Sequence, residues 1–253
     1  MLRLLLSVLA FALTTLPAEA ERLVSTLSRD EVAITSSFSG ETLTFFGNIE
    51  PEAGAPERFV EGPFHVIIAI TGPLQDRVAR RKTNTFGIWI NTEQAVFDNF
   101  PSFYHVLADS RLEDITNLVT LTELGIPLEM QAQRTAVSGW WDTIAFGNEL
   151  TRLMVEDGQF SLNEQGVIFR SNTFYSAQVT LPSNAPPGRY IAHTYLFKDG
   201  VLIGDRAEDF IVRKVGFERF LGLAAVQQPL LYGIVCVVLA VFTGWLGGVV
   251  FRR

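Results

Sequence analysis

Residues 175–212 read YSAQVTLPSNAPPGRYIAHTYLFKDGVLIGDRAEDFIV, and this stretch decides the fold class. Tyr175 to Leu181 alternates apolar and polar side chains, Pro182 to Gly188 is a Pro-rich turn, and Arg189 to Phe197 alternates again. Lys198-Asp199-Gly200 is a hairpin turn signal, and Val201 to Ile203 and Asp209 to Val212 supply further strand segments. Period-two alternation buries one face of a strand and wets the other, so the pattern predicts half-buried strands joined by tight turns.

The same signature extends towards the N-terminus. Val32 to Thr35 and, after the turn Ser39-Gly40, Leu43 to Phe46 read as strands. His65 to Ile70 is a nearly continuous apolar run ended by Gly72-Pro73, the form of a central strand covered on both faces. Thr85 to Ile90 and Ala95 to Phe97 read as a further hairpin. Helical periodicity interrupts this series: Asp142 is placed to cap a helix that sets Phe146, Leu150, Leu153 and Met154 on one face and Glu149, Arg152 and Glu156 on the other, with Gly158 at its end. Leu112 to Leu124 reads as a second helix. Tyr190, just after Pro187-Gly188, fits the corner of immunoglobulin-like sandwiches in which a tyrosine hydroxyl ties two strands, and fits an ordinary turn as well. The expected fold is therefore mainly β: an immunoglobulin-like β-sandwich over 21–212 with a helical insertion at about 110–158, in one lobe or in two.

Both ends of the chain carry membrane signals. Leu230 to Val250 is 21 residues without a charge; at roughly 1.5 Å per residue it reaches about 31 Å, the thickness of a hydrocarbon core of about 30 Å. Tyr232 and Trp245 suit the two interfaces, and Arg252 and Arg253 mark a cytoplasmic tail after a span at 230–251. Arg3, the apolar run Leu4 to Leu16 and Ala18-Glu19-Ala20 read as a signal peptide over 1–20, too short for a spanning helix. Between body and span, 213–229 holds an amphipathic helix or a linker, with Phe217, Phe220, Leu221 and Ala224 on one face.

The chain has 20 basic and 27 acidic residues, and setting aside Arg3, Glu19, Arg252 and Arg253 leaves the exported body at −9. Phosphate-backbone binding needs the opposite sign, which argues against nucleic acid. The single cysteine, Cys236, lies inside the predicted span, so the body has no disulfide, and no N-x-[ST] sequon occurs. These features favour a bacterial periplasm, with the protein a single-pass component of the inner membrane.

No catalytic constellation is spelled out. His65, His105 and His193 stand far apart with no ligand spacing, Ser138-Gly139-Trp140-Trp141-Asp142 is not a nucleophile elbow, and no Gly-rich phosphate loop occurs. The expectation is a non-enzymatic protein without metal or cofactor. Two stretches invite contact with a partner. Arg80-Arg81-Lys82, just before Trp89, concentrates positive charge on an acidic body and suits contact with lipid headgroups, an anionic ligand or an acidic partner; a solvated edge strand guarded by charge is the bland alternative. Cys236, Ala240, Gly244 and Gly248 recur every four residues and form a ridge of small side chains along the span, where a second helix can approach closely.

In its motifs the chain resembles an alphaproteobacterial transmembrane protein family of unknown function, with a signal peptide, an exported domain and one C-terminal transmembrane helix. The motifs are Phe38-Ser39-Gly40 with Phe46-Gly47, Ile70-Thr71-Gly72-Pro73, Arg81-Lys82 with Gly87-Ile88-Trp89-Ile90-Asn91, and Pro101-Ser102-Phe103-Tyr104. Leu181-Pro182 with Pro187-Gly188-Arg189-Tyr190, and Leu231-Tyr232-Gly233 through Gly244-Trp245 to Phe251-Arg252-Arg253, complete the series in order. The resemblance implies accessory proteins associated with permeases of the sulfite-exporter type. The leading expectation is thus an interaction subunit of an inner-membrane complex, bound to a membrane-embedded partner or to a second copy through the span, with the lipid bilayer as its other contact. The alternative is a tethered small-ligand or glycan-binding module using Trp89, Phe103 and Tyr104.

Overall fold

A computed structural model of the chain describes residues 21–35, 39–51, 60–137, 140–215 and 217–250, without the side chains of 140–142, 217–219 and 223. The expected signal peptide, the tail 252–253, Phe38, and the packing of Trp140 and Trp141 lie outside what is described.

Twelve strands are described. β1 (Arg22–Leu27), β3 (Glu41–Glu50), β10 (Phe174–Leu181) and β9 (Val167–Phe169) form an antiparallel sheet in the order β1-β3-β10-β9. A six-stranded sheet has the order β2-β12-β11-β4-β7-β8, from β2 (Glu31–Ile34), β4 (Phe64–Thr71), β7 (Tyr104–Ala108), β8 (Phe160–Asn163), β11 (Gly188–Lys198) and β12 (Val201–Lys214). Its interior pairings are antiparallel, and the edge strands β2 and β8 pair in parallel. β5 (Leu74–Thr85) and β6 (Ile88–Pro101) make a two-stranded hairpin. Early strands pair directly with late ones, β3 with β10 and β4 with β11, so the body is one interleaved sandwich rather than two lobes.

The continuous apolar run at 65–70 explains the layering. Val66, Ile68 and Ile70 of β4 enter a core shared with Leu43, Phe45, Tyr175, Val179, Tyr190 and Phe210, between the two sheets. Ile67 and Ala69 face the other way, into a second core with Phe97, Phe100, Tyr104, Phe146 and Phe160. A strand covered on both faces has no polar side to alternate with, and β4 is that strand.

Four helices help cover the second core: α1 (Leu112–Ile115), α2 (Leu118–Leu124), α3 (Leu128–Thr135) and α4 (Trp140–Glu156). The helix expected over Leu112 to Leu124 is two. Thr116 leaves the helix to donate its hydroxyl to the Gly200 carbonyl at 2.7 Å, and Asn117 caps α2 by accepting from the Thr120 amide at 3.0 Å. α3, which the sequence pattern does not announce, buries only Ala132, so its polar surface hides the helical period. α4 starts at Trp140, ahead of the expected cap Asp142. Phe146 and Met154 are buried as expected, but Leu153 is exposed. Glu149 and Glu156 hold Arg152 on the solvent face, and Gly158 at φ 71° follows the helix end.

The hairpin expected between Thr85–Ile90 and Ala95–Phe97 turns elsewhere. Its reversal is at Phe86-Gly87, both at positive φ (56° and 83°), with the Gly87 amide donating to Asn84 Oδ1 at 2.9 Å. Two residues at positive φ match the right-handed strand twist, so Ile88 to Ile90 belong to the returning strand. The segments expected at Val201–Ile203 and Asp209–Val212 are one strand, β12. α5 (Phe217–Gln227) and α6 (Pro229–Val250) end the described chain, separated by Gln228. Among the described residues α6 is the one helix long and apolar enough to cross a membrane, with mean hydropathy 2.3, and none of its residues is buried.

Candidate interaction site

Three separate motifs meet at one junction where β4 passes into β5. The Gly72 amide donates to the Phe103 carbonyl at 2.8 Å, and the Ser102 amide and hydroxyl both donate to the Pro73 carbonyl, at 3.0 and 2.6 Å. These bonds continue the β4–β7 ladder into the β5–β6 ladder, so the two pairs form one long ribbon. A Cβ on Gly72 would sit 2.7 Å from the Phe103 Cβ and 3.0 Å from the Tyr190 ring, which is why this position has no side chain. Tyr190 donates its hydroxyl to the Pro186 carbonyl at 2.7 Å and packs edge-on to Phe103. This bond ties Tyr190 to the Pro-rich turn that precedes β11. Burial pushes the Tyr190 phenol well above its ordinary range. The proline- and glycine-containing motifs thus fix how the ribbon leaves the sandwich.

Beyond the junction the ribbon separates the three basic residues. Directly paired residues project to the same face of a ladder. Arg81 pairs with Glu93 and Ala79 with Ala95 on the face that packs against the second core. There the Arg81 guanidinium donates to Glu93 at 2.7 Å and lies 5.0 Å from the centre of the Phe146 ring. Arg80 and Lys82 point the other way, on the face that carries Trp89 through its pairing with Asn84. A bulge between Arg81 and Lys82 inserts Thr92, whose hydroxyl bonds Thr83 at 2.6 Å. The candidate group Arg80, Arg81, Lys82 and Trp89 is therefore split: Arg81 is structural, and Arg80, Lys82 and Trp89 share an exposed face. At the tip Phe86 is wholly exposed, and Ile88 and Trp89 are each 66% exposed.

The helix α6 presents the second surface. At about 100° per residue, Gly233, Cys236, Ala240, Thr243, Gly244 and Gly247 fall within one strip roughly 100° wide, with Gly248 about 40° outside it. The strip includes three of the four residues expected in the ridge and adds Gly233, Thr243 and Gly247. A Cβ added at Gly233, Gly244, Gly247 or Gly248 would meet nothing within 4 Å, and Cys236 is exposed. Thr243 returns its hydroxyl to the Leu239 carbonyl at 2.8 Å, so that hydroxyl is satisfied within the helix. Val237, Val238, Val241, Phe242 and Trp245 form the bulky flank.

The histidines do not converge. His65 Nδ1 bonds Asp109 at 2.8 Å, and the same carboxylate accepts from the Val66 amide at 2.6 Å and the Ser110 hydroxyl at 2.9 Å. Ser110 and His65 both bond the acid and not each other, so no nucleophile–base relay is formed. This cluster has no signature in the sequence because its histidine and acid are 44 residues apart. His105 stacks on Phe103 at 4.0 Å, and burial lowers its pKa, partly countered by its bond to the Gly158 carbonyl. His193 stacks on Tyr195. Among the described residues no group of three or more His, Cys, Asp or Glu is placed to hold a metal ion. Phe103 and Tyr104, expected beside Trp89 as a ligand platform, are buried core residues and offer no open ring face.

Comparison with known families returns the one described as "Putative transmembrane protein (Alph_Pro_TM)", whose model matches residues 22–253. No curated protein matches the chain.

Proposed function

We infer the function from the premise that the chain belongs to this transmembrane family: it is a non-enzymatic accessory subunit, anchored in a bacterial inner membrane with its sandwich in the periplasm, and it binds a membrane-embedded partner through α6. The observation that carries this reading is that α6 has no buried residue and that one strip of it is built from small residues. A tether needs only length and hydropathy. In lipid, where the hydrophobic effect does not drive helices together, close backbone approach between small side chains is what favours association. The partner class that fits is a polytopic membrane protein, with a second copy of the chain as the simplest case.

The test replaces α6 by a polyleucine helix of equal length, then compares crosslinked species purified in mild detergent. Loss of partners with the polyleucine helix supports the reading. Recovery of the same partners with both spans makes α6 a tether and rejects it.

A further inference from the structure

We propose that the β5–β6 hairpin docks on the membrane surface beside α6, with its apolar tip entering the interface of anionic phospholipid and Arg80 and Lys82 meeting headgroup phosphates. This inference does not depend on what α6 binds.

The tip has the chemistry of an interfacial anchor. Phe86, Ile88 and Trp89 are 102%, 66% and 66% exposed, on a two-stranded ribbon with no third strand beside it among the described residues. Phe86 holds a positive φ of 56°, a conformation that L side chains other than Asn and Asp avoid. Its ring is fully exposed, so no contact within the described chain offsets that conformation. Aromatic rings with a polar edge settle at the headgroup level of a bilayer.

Topology directs the hairpin to the correct end of the body. β4 and β12 are both antiparallel to β11 and so run the same way. The ribbon continues from the end of β4, and the chain departs for α5 and α6 from the end of β12. Thr71 and Asp209 both pair with Ile191 and stand at the same level. From there the ribbon to Phe86 can extend at most about 50 Å at 3.3 Å per residue. The chain from Asp209 to the end of α5 can extend at most about 40 Å. The tip therefore has the reach to meet the plane in which α6 begins.

Charge selects the lipid. The body is acidic at −9, which keeps the rest of its surface off an anionic bilayer. Among the described residues neither Arg80 nor Lys82 is in an ion pair, whereas Arg81 between them is neutralised by Glu93. Two basic side chains near an anionic surface favour the docked state by about thirtyfold over a neutral one.

The test uses the full chain with Cys236→Ala and a polarity-sensitive thiol fluorophore at Asn91→Cys beside Trp89, or at Val201→Cys at the opposite end of the sandwich as reference. Each protein is reconstituted into vesicles containing phosphatidylglycerol or into pure phosphatidylcholine. The expected result is a blue-shifted label at position 91, quenched by lipid-borne spin label and shielded from iodide, in phosphatidylglycerol vesicles. Position 201 stays open to iodide, and Arg80→Glu with Lys82→Glu releases the tip. Equal iodide access at the two positions, with no quenching by lipid, overturns the proposal. So does shielding at position 91 that follows protein density without lipid quenching, which assigns the surface to a second copy.

Discussion

Arg81 reaches across from the hairpin to helix α4: its guanidinium lies 5.0 Å from the centre of the Phe146 ring while it donates to Glu93 at 2.7 Å on the neighbouring strand. Its neighbours Arg80 and Lys82 face the other way. Arg81→Ala removes one contact between hairpin and helix, worth about 0.5–1 kcal/mol for a partly exposed group. Amide exchange between Ala79 and Ala95 should quicken about two- to fivefold while exchange in β4 and β11 is unchanged.

Gly47 lies opposite Tyr175 in the β3–β10 ladder, and a Cβ there would stand 2.1 Å from the tyrosine Cζ. The ring is fully buried and cannot swing aside. Gly47→Ala should cost about 3 kcal/mol or more, read as a lowered urea midpoint of the full chain in detergent.

Two buried tyrosines should respond differently to loss of the hydroxyl. Tyr190→Phe gives up the 2.7 Å bond to Pro186 and should cost about 1–1.5 kcal/mol. The Tyr175 hydroxyl is buried facing Thr194 without a well-formed hydrogen bond, so Tyr175→Phe should be neutral or stabilising. Urea titration of the two variants side by side checks the contrast.

His105 supplies a pH dependence. Burial lowers its folded-state pKa, so the folded chain binds the proton less readily than the unfolded chain does. Its contribution is complete above the unfolded value of about 6.5 and is lost as pH falls below it. Stability should therefore drop as pH falls below about 6.5, and His105→Gln should flatten that part of the curve.

The strands are legible in the sequence where one rule acts alone. The apolar run at 65–70 fits a doubly covered strand, and β10 and β11 alternate cleanly around a Pro-rich turn. Sequence misleads where two signals overlap. Ile88-Trp89-Ile90 is apolar without alternation, so pattern alone draws the hairpin across the true turn, and only the positive φ of Phe86 and Gly87 reveals the reversal. The convergence of Gly72, Phe103 and Tyr190 has no local signature, because Phe103 follows Gly72 by 31 residues and Tyr190 follows Phe103 by 87. Equally, Arg80-Arg81-Lys82 reads as one charge cluster until the ladder places alternate residues on opposite faces. The small-residue strip of α6 is legible in part: a four-residue repeat finds Cys236, Ala240 and Gly244 but drifts off the strip by Gly248, and it passes over Gly233, Thr243 and Gly247.

That strip carries the central claim, and a single side chain tests it. Gly244 lies in the strip with nothing within 4 Å of an added Cβ, so Gly244→Leu keeps the helix apolar and leaves the sandwich intact. The measurement is the set of crosslinked species recovered in mild detergent from membranes holding either the unaltered full chain or the Gly244→Leu variant. The partner or dimer band present with glycine should be lost in the variant, at equal membrane insertion. An undiminished band in the variant would contradict the claim and shift the interface to the exposed hairpin face of Arg80, Lys82 and Trp89.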